Sequence, residues 1–317
     1  MRLFAADVLK TLLFERMILI QGKEEVCLDL RDVLHCAGLP GPHRGTDTDR
    51  WTIPRVLSLV CDQQTEYRER IKQALSVLVR DHRQKKDAVT VYDQRTLALR
   101  KPIESCSKVI IVGQRVPVNR SQREMKEEVV TGFLKFASAL ADPGAKIPLP
   151  RSDGIFDADA VLGIVIGKRA ERVSIAESLS YIAGFTLLID ITDRKTFETE
   201  CKTNNNLMAK NRPNLSSLGP CIRMAPDVDS DHRIGLTFRL NGEVRQQFAL
   251  EDLVYGIKEM VSNWSRLILE PGDMLGLGAT LARSQPGKIF ESPIPIKPGD
   301  VLEVESPTIG SLNVEMV

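Results

Sequence analysis

The sequence predicts an α+β protein that is rich in β-strands and has a smaller, more helical region at its N-terminal end. After about residue 101, short apolar segments bounded by glycine, proline and turn signals replace amphipathic helical patterns. Helices are few in this second part and do not alternate regularly with strands, so a doubly wound parallel sheet is not expected. We therefore divide the chain into an N-terminal helical or cap region, residues 1–100, and a β-rich region, residues 101–317.

Composition narrows the class of protein further. The 317 residues are 43% hydrophobic and 27% charged, which is typical of a globular chain with a real core. Lys and Arg total 43 against 42 acids, so the basic excess of most nucleic-acid-binding proteins is missing. No apolar run approaches the roughly 18 residues of a membrane helix. Six scattered cysteines without a CxxC pair indicate free thiols. We expect a cytoplasmic protein without nucleic-acid or membrane partners.

The clearest element of the N-terminal region is a helix over residues 65–83. Its apolar residues recur at helical spacing, with Arg and Lys between them: Tyr67, Ile71, Leu75, Leu78 and Val79. A basic cluster follows at 80–86, but Asp81 dilutes it and aromatic residues are absent, which favours a solvated helix end. No motif in residues 1–100 indicates a chemistry.

Three apolar segments of the second region predict strands, at residues 108–113, 160–167 and 185–190. The second is continuous enough to be buried on both faces, and the third ends in Asp190. Between them, Ser174 and Glu177 form a capping-box pattern that predicts a helix, which Gly184 would end.

The remaining elements follow from turn signals. Asn241-Gly242 predicts a hairpin between strands 235–240 and 244–248. An amphipathic helix is predicted over 251–268. Two Pro-Gly-Asp turns, at 271–273 and 298–300, each precede a predicted strand, and the tail from residue 301 predicts two short strands.

Several phrases carry a resemblance through their order and spacing. They are Val109-Ile-Ile-Val-Gly113, Leu162–Lys168, Tyr181–Asp190, Leu218-Gly-Pro220, Leu240–Glu243, Leu269–Asp273 and Pro298-Gly-Asp300. Together they resemble the fumarylacetoacetate hydrolase family over residues 101–317. The resemblance implies a mixed β-roll catalytic domain, a homodimer, a Mg²⁺ or Mn²⁺ site, and a small 1,3-dicarbonyl or 2-oxo acid substrate. Family members hydrolyse C–C bonds, decarboxylate or isomerise.

The resemblance also implies three carboxylate ligands, a Glu-x-Glu pair on one strand and an Asp at the end of the next. Those positions hold Asp159, Val161 and Asp190. Asp157 lies one step back on the same strand face and could replace the ligand lost at Val161. Hard cations need oxygen ligands, so Asp157, Asp159 and Asp190 are the candidate metal ligands of a weakened or lost site. The alternative is that Asp157 and Asp159 are turn residues that solvate the start of a buried strand.

The family's acid–base positions are also substituted. A histidine and the glutamate after it are replaced by Asn119 and Gln122, whose amides cannot exchange a proton near neutral pH. The threonine of a family turn falls on Ala279, with Thr280 adjacent. We assign Asn119, Gln122 and Thr280 to substrate binding. Glu124, Glu127 and Glu128 could supply a base, or could simply be solvated residues of a lid segment.

Lys210 lies twenty residues after Asp190, the spacing of the family's catalytic lysine. The resemblance therefore implies that Lys210 is catalytic, and that it could stabilise an enolate oxygen. Arg194 could hold a substrate carboxylate, or could pair with Asp190 or Asp193 as a structural ion pair. A glutamine expected three residues after Arg194 is Phe197.

Two function hypotheses follow. The first is a family enzyme, a hydrolase, lyase or isomerase, that acts on a 1,3-dicarbonyl or 2-oxo acid through a stabilised enolate. Hydrolysis is least supported because the histidine is missing, whereas decarboxylation or isomerisation can proceed without a dedicated base. The alternative is a catalytically degraded member that keeps the fold and serves as a binding or structural protein.

Overall fold

A computed structural model provides the coordinates. It describes residues 1–10, 13–21, 26–39, 57, 65–84, 90–93, 97–104, 106–114, 130–150, 154–203, 205–225, 234–249, 255–279 and 295–317. The architecture is α+β and β-rich, which confirms the predicted fold class.

Within these residues the strands form two sheets of twelve and five strands. The strands are β1 Arg2–Lys10, β2 Leu13–Gln21, β3 Val26–Asp29, β4 Val91–Asp93, β5 Ala98–Arg100, β6 Val109–Gln114, β7 Phe133–Leu134, β8 Leu140–Ala141, β9 Lys146–Ile147, β10 Phe156–Ile166, β11 Ile182–Asp193, β12 Ser216–Met224, β13 Gly235–Leu240, β14 Glu243–Ala249, β15 Met274–Ala279, β16 Val301–Ser306 and β17 Gly310–Met316. The larger sheet has the order β4-β3-β2-β1-β12-β11-β10-β15-β6-β7, with β5 on β1 and β8 on β12. The smaller has the order β14-β13-β16-β17-β9.

Among the described residues, the α-helices are short apart from one. They are α1 Leu30–Cys36, α2 Thr65–Arg83, α3 Arg194–Cys201, α4 Leu207–Lys210 and α5 Ile257–Trp264. Helix α2 has the predicted bounds, and its apolar side packs inward. No helix in the described part of the chain is long and apolar enough to cross a bilayer.

Strands β10 and β11 form the centre of the larger sheet. They pair antiparallel from Phe156↔Asp193 to Ile166↔Ile182, and every residue of β11 is buried. Side chains from the two faces enter two different hydrophobic clusters, so both strands are covered on both sides. This burial explains the continuous apolar runs from which the strands were predicted.

The N-terminal region differs from the prediction of a helical cap. It contributes five described strands, β1 to β5, to the same sheet as β10 and β11. The junction is the antiparallel pairing of β1 with β12, at Arg2↔Arg223 and Leu3↔Ile222. Asp7 and Lys10 interrupt β1, so its sequence shows neither a long apolar run nor a strict alternation from which a strand could be predicted.

The predicted capping box forms, but the predicted helix does not. The backbone N–H of Glu177 donates to Ser174 Oγ at 3.3 Å, which is the serine half of the box, and Ser174 Oγ donates to the Glu177 carboxylate at 2.7 Å. Only a 3₁₀ turn follows, at Ser178–Tyr181. Gly184 lies within β11 and not at a helix end. A Cβ there would come 2.2 Å from the carbonyl oxygen of Arg223 on β12, so glycine is needed for the close approach of these strands.

The turn-based predictions agree with the structure. The hairpin β13–β14 turns at Asn241-Gly242, both with positive φ. Strands β15 and β16 follow the two Pro-Gly-Asp turns, and β16 pairs with β17 in the tail. Helix α5 begins at Ile257, later than predicted, and residues 251–254 lie outside the described residues.

Candidate active site

The register of β10 and β11 brings four polar side chains onto one face at the end of the central strands. Asp159 is paired with Asp190, and Asp157 with Thr192. Val161 continues this face into the apolar core, where it packs against Gly276 and Gly278 of β15. The four polar side chains therefore lie together at one end of this face of β10 and β11, next to its apolar part.

Asp190 lies between two lysines. Its Oδ1 is 2.8 Å from Lys135 Nζ, and its Oδ2 is 2.8 Å from Lys210 Nζ. All three residues are buried, with 2%, 1% and 6% of Asp190, Lys135 and Lys210 exposed. Burial alone would raise the pKa of Asp190, but the two ammonium groups outweigh it and hold this pKa below its ordinary value. Asp190 is a carboxylate with both oxygens occupied by cations of the chain.

Lys135 was not identified from the sequence. It follows β7, and its ammonium also donates to the carbonyl oxygen of Lys210 at 2.6 Å and to Ser216 Oγ at 2.7 Å. Ser216 Oγ accepts in addition from the backbone N–H of Ile191 at 3.1 Å. Burial lowers the pKa of Lys135 from its ordinary value, against the effect of Asp190. The only available signal was a lysine between apolar residues, at Phe133-Leu-Lys-Phe136.

Lys210 is held at the end of the short helix α4. The carboxylate of Glu200 accepts from the backbone N–H groups of Met208 and Ala209, at 2.8 and 2.9 Å. The Lys210 ammonium donates to Thr192 Oγ1 at 2.6 Å as well as to Asp190, and lies 4.6 Å from the centre of the Phe133 ring. The structure thus brings Lys210 and Asp190 together; the catalytic role of Lys210 stays an expectation from the family resemblance.

Asn211 ties α4 to β7, the strand that precedes Lys135. Its Nδ2 donates to the carbonyl oxygens of Leu134 and Leu207, both at 2.9 Å. Its Oδ1 accepts from the backbone N–H of Phe136. Together with the bond from Lys135 to the Lys210 carbonyl, these contacts fix the two lysines relative to each other.

Arg194 pairs with neither of the two acids considered from the sequence. Its Nε and Nη2 both lie 2.6 Å from Asp157 Oδ2. Asp193 instead caps α3 through Thr196 and accepts from Arg212. Burial raises the pKa of Asp157, although Arg194 opposes this shift. The guanidinium therefore reaches the site through Asp157.

Asp159 is the least constrained acid of the site. Its nearest ion-pair partner among the described residues is Arg194 Nη2, at 4.0 Å, and 24% of its side chain is exposed. Burial raises its pKa to about 6; Lys210 opposes this shift, and the neighbouring carboxylate of Asp157 adds to it. A carboxyl group with this pKa can carry a proton near neutral pH.

We name the set of Asp157, Asp159, Asp190, Lys135, Arg194 and Lys210 the ion cluster. It holds three acids and three cations, and it reaches the surface at Asp159 and Arg194. In the part of the chain that the structure describes, no three acid, histidine or cysteine side chains are grouped so as to hold a metal ion. The candidate ligands Asp157, Asp159 and Asp190 share one face, but two of them are engaged by cations and Val161 is apolar. As they stand, these residues do not fit a divalent cation.

The candidate substrate-binding residues Asn119, Gln122 and Thr280 lie outside the described residues, as do Glu124, Glu127 and Glu128. Their roles stay predictions.

Comparisons with solved structures define the class of protein from the fold. Maleylpyruvate hydrolase from Sphingobium sp. SYK-6, solved with manganese(II) and pyruvate, matches with a TM-score of 0.69 and 19% identity over 100% of this chain and 99% of its own. Fumarylacetoacetate hydrolase from Exiguobacterium antarcticum matches with a TM-score of 0.73 and 17% identity, over 100% and 99% of the chains. The protein has the fold of these enzymes.

The sequence gives the family itself. The profile described as fumarylacetoacetate (FAA) hydrolase C-terminal matches residues 101–317. The fumarylacetoacetate hydrolase domain-containing protein 2 homolog of Dictyostelium discoideum is 30% identical over 236 residues, 67% of this chain and 75% of that protein. Maleylpyruvate hydrolase of Aquipseudomonas alcaligenes is 32% identical over 57% of this chain and 58% of its own. The chain belongs to the fumarylacetoacetate hydrolase family.

Proposed function

We propose that this chain is an enzyme that acts on a small 2-oxo acid or 1,3-dicarbonyl compound by stabilising its enolate, in an isomerisation or a decarboxylation. The observation that carries the proposal is the Lys210 ammonium, held by Asp190 and Thr192 at 2.8 and 2.6 Å. Similar proteins described as maleylpyruvate hydrolase and as isomerases support an enzyme of this kind.

Lys210 supplies the charge that an enolate requires. An ammonium has three N–H donors, and Asp190 and Thr192 accept two of them, which leaves one for a substrate oxygen. Because the chain already holds the ammonium in place, little reorganisation accompanies the appearance of negative charge on that oxygen. The enolate forms when a proton or carbon dioxide leaves the neighbouring carbon.

Arg194 and Asp159 complete the proposed roles. Asp157 engages Nε and Nη2 of Arg194, so Nη1 can hold a substrate carboxylate. Asp159, with a pKa of about 6 and an exposed edge, can take a proton from carbon and return it to another position. Hydrolysis needs an activated water as well, and the histidine position is Asn119, so hydrolysis is least supported.

A divalent metal would supply Lewis-acid stabilisation of the same enolate, and the Sphingobium maleylpyruvate hydrolase structure contains manganese(II). The family resemblance implies weak binding of Mg²⁺ or Mn²⁺ through Asp157, Asp159 and Asp190, but these residues do not fit a divalent cation as they stand, and no step above uses one. We also infer, from the family resemblance alone, that the protein is a homodimer.

The test is Lys210→Met, assayed with a panel of 2-oxo acids and acylpyruvates. Loss of enol absorbance without any cleavage product indicates isomerisation, and release of carbon dioxide indicates decarboxylation. Release of pyruvate together with the carboxylic acid of the acyl group, and without carbon dioxide, indicates C–C hydrolysis. We expect kcat to fall by about 10²–10³ because a preorganised donor to the oxyanion is removed. Lys168→Met is the matched control: it removes a lysine that lies 4.5 Å from the Tyr181 ring, beyond the other end of β10, and should leave kcat unchanged.

Equal kcat in wild type and Lys210→Met, with both proteins folded, would contradict this role of Lys210. Release of pyruvate and the second carboxylic acid from an acylpyruvate, without carbon dioxide, as the dominant reaction would show that the chain is a hydrolase.

The second candidate is a degraded family member that binds a ligand without turnover. The observation that favours it is that Asp157 and Asp190 are already neutralised by cations of the chain. It predicts no reaction with any member of the panel, but saturable binding of pyruvate that Lys210→Met weakens.

A further inference from the structure

We propose that the ammonium groups of Lys135 and Lys210 take the place of a divalent cation at Asp190, so that this site is complete without a metal ion. The charge balance around Asp190 is the same whether or not the chain turns over a substrate.

The first argument is the geometry at Asp190. Each carboxylate oxygen has its own ammonium at 2.8 Å, one on either side. A Mg²⁺ ion requires carboxylate oxygens at about 2.0–2.1 Å in a near-octahedral arrangement. An ion at that distance from Asp190 would lie next to one or both ammonium groups, and cations repel each other strongly in a buried site.

The second argument is the balance of charge. The ion cluster contains Asp157, Asp159 and Asp190 against Lys135, Arg194 and Lys210, so its acids and cations are equal in number. A cluster of acids usually attracts a metal because it carries an excess of negative charge. This one carries no excess, because each of its three acids is matched by a cation of the chain.

Lys135 also cannot move its ammonium away from Asp190 to make room for a metal ion. Its side chain is fully buried, its ammonium also binds Ser216 Oγ and the Lys210 carbonyl oxygen, and its backbone N–H donates to Val109 at 2.8 Å. An exposed lysine could swing into water when a metal binds, at little cost. Lys135 cannot leave without breaking three buried contacts, and one of these contacts positions Lys210.

The experiment is a titration of Mn²⁺ followed by the electron paramagnetic resonance signal of the free ion. We expect wild type and Lys168→Met to leave the signal unchanged up to millimolar Mn²⁺. Lys210→Met frees Asp190 Oδ2 and gives the cluster one excess negative charge, so it should bind one Mn²⁺ at least tenfold more tightly than wild type. Adding Asp190→Asn to Lys210→Met should abolish the gained binding.

Two results would overturn the inference. One is stoichiometric binding of Mn²⁺ to wild type that Asp190→Asn removes. The other is a folded Lys210→Met protein that binds no Mn²⁺, since Lys210 would then not be what excludes the ion. If Lys210→Met fails to fold, the test is made on wild type alone. Its melting temperature should be the same in EDTA and in Mn²⁺. A higher melting temperature in Mn²⁺ that is lost in Asp190→Asn would refute the proposal. The Mn²⁺ titration and the melting temperatures do not depend on catalysis, so they test the inference even if the chain turns over no substrate.

Discussion

Replacing Lys135 with methionine tests whether the buried lysine holds the site together. The side chain keeps its length and apolar stem, but its ammonium is lost. Asp190 Oδ1, the Lys210 carbonyl oxygen and Ser216 Oγ then lose a partner at 2.8, 2.6 and 2.7 Å, respectively. All three lie in a part of the structure from which water is excluded, so water does not readily replace the ammonium.

The expected loss in the free energy of unfolding follows from these contacts. Breaking a buried ion pair by removing one partner costs about 3–5 kcal/mol. Lys210 still neutralises Asp190, which places this contribution at the low end. The Lys210 carbonyl oxygen loses the ammonium and adds about 1–3 kcal/mol, whereas Ser216 Oγ still accepts from the Ile191 backbone N–H. The desolvation cost of the buried ammonium, which is several kcal/mol, disappears and offsets part of the sum. We expect a net loss of about 3 kcal/mol, a large part of the roughly 5–15 kcal/mol that stabilises a folded protein.

Urea unfolding at pH 7 measures this loss, provided that the slope with denaturant stays constant. Lys146→Met is the matched control, because Lys146 pairs with Glu315 at 3.1 Å but both side chains are exposed. An exposed pair contributes about 0–1 kcal/mol, so the control should remain near wild type. A loss below about 1 kcal/mol in Lys135→Met, or equal losses in the two variants, would refute the reasoning.

Two further predictions concern the central strands, at Asp159 on β10 and at Gly184 on β11. The pKa of Asp159 is raised from 3.8 to about 6. Its contribution to the free energy of unfolding is therefore complete below about pH 4, where the carboxyl group is protonated, and is lost as the pH rises through about 6. Asp159→Asn should therefore raise the free energy of unfolding at pH 8, by at most about 3 kcal/mol at 1.36 kcal/mol per pKa unit, and not at pH 4; an equal effect at both values would contradict the shift. Gly184→Ala should lower the melting temperature by several degrees because its Cβ would lie 2.2 Å from the Arg223 carbonyl oxygen, whereas Gly242→Ala, with open space around its Cβ, should have a smaller effect from its positive φ alone.

Much of the sheet could be predicted because its central strands are buried on both faces. Continuous apolar runs indicate β11 and most of β10, and Asn241-Gly242 indicates the β13–β14 turn. The start of β10 was predicted too late, since Asp157 and Asp159 interrupt the run. They are tolerated inside the strand because Arg194 lies close to both, at 2.6 Å from Asp157 and 4.0 Å from Asp159.

The site could be predicted only in part, because its acids and its cations come from distant segments. The family resemblance implies that Lys210 belongs to the same site as Asp190, and in the structure the two side chains lie 2.8 Å apart. Lys135 could not be recognised, since Leu134 and Phe136 beside it are exposed by 47% and 46%. Local hydrophobicity would place these two inside and the lysine outside. The arrangement is reversed because the ammonium binds Asp190, which is 55 residues further along the chain.

The pairing of β1 with β12 also determines whether residues 101–317 can exist as a separate fragment. Strand β8 covers the start of β12, at Ser216 and Ser217, and β1 covers its end, at Ile222 and Arg223. A chain trimmed to the family region, residues 101–317, would expose the backbone donors and acceptors of that end, next to the apolar side chain of Ile222. Uncovered strand edges recruit strands from other molecules. The first strand thus protects the family region from self-association, and any shortened version needs a substitute cover for that edge.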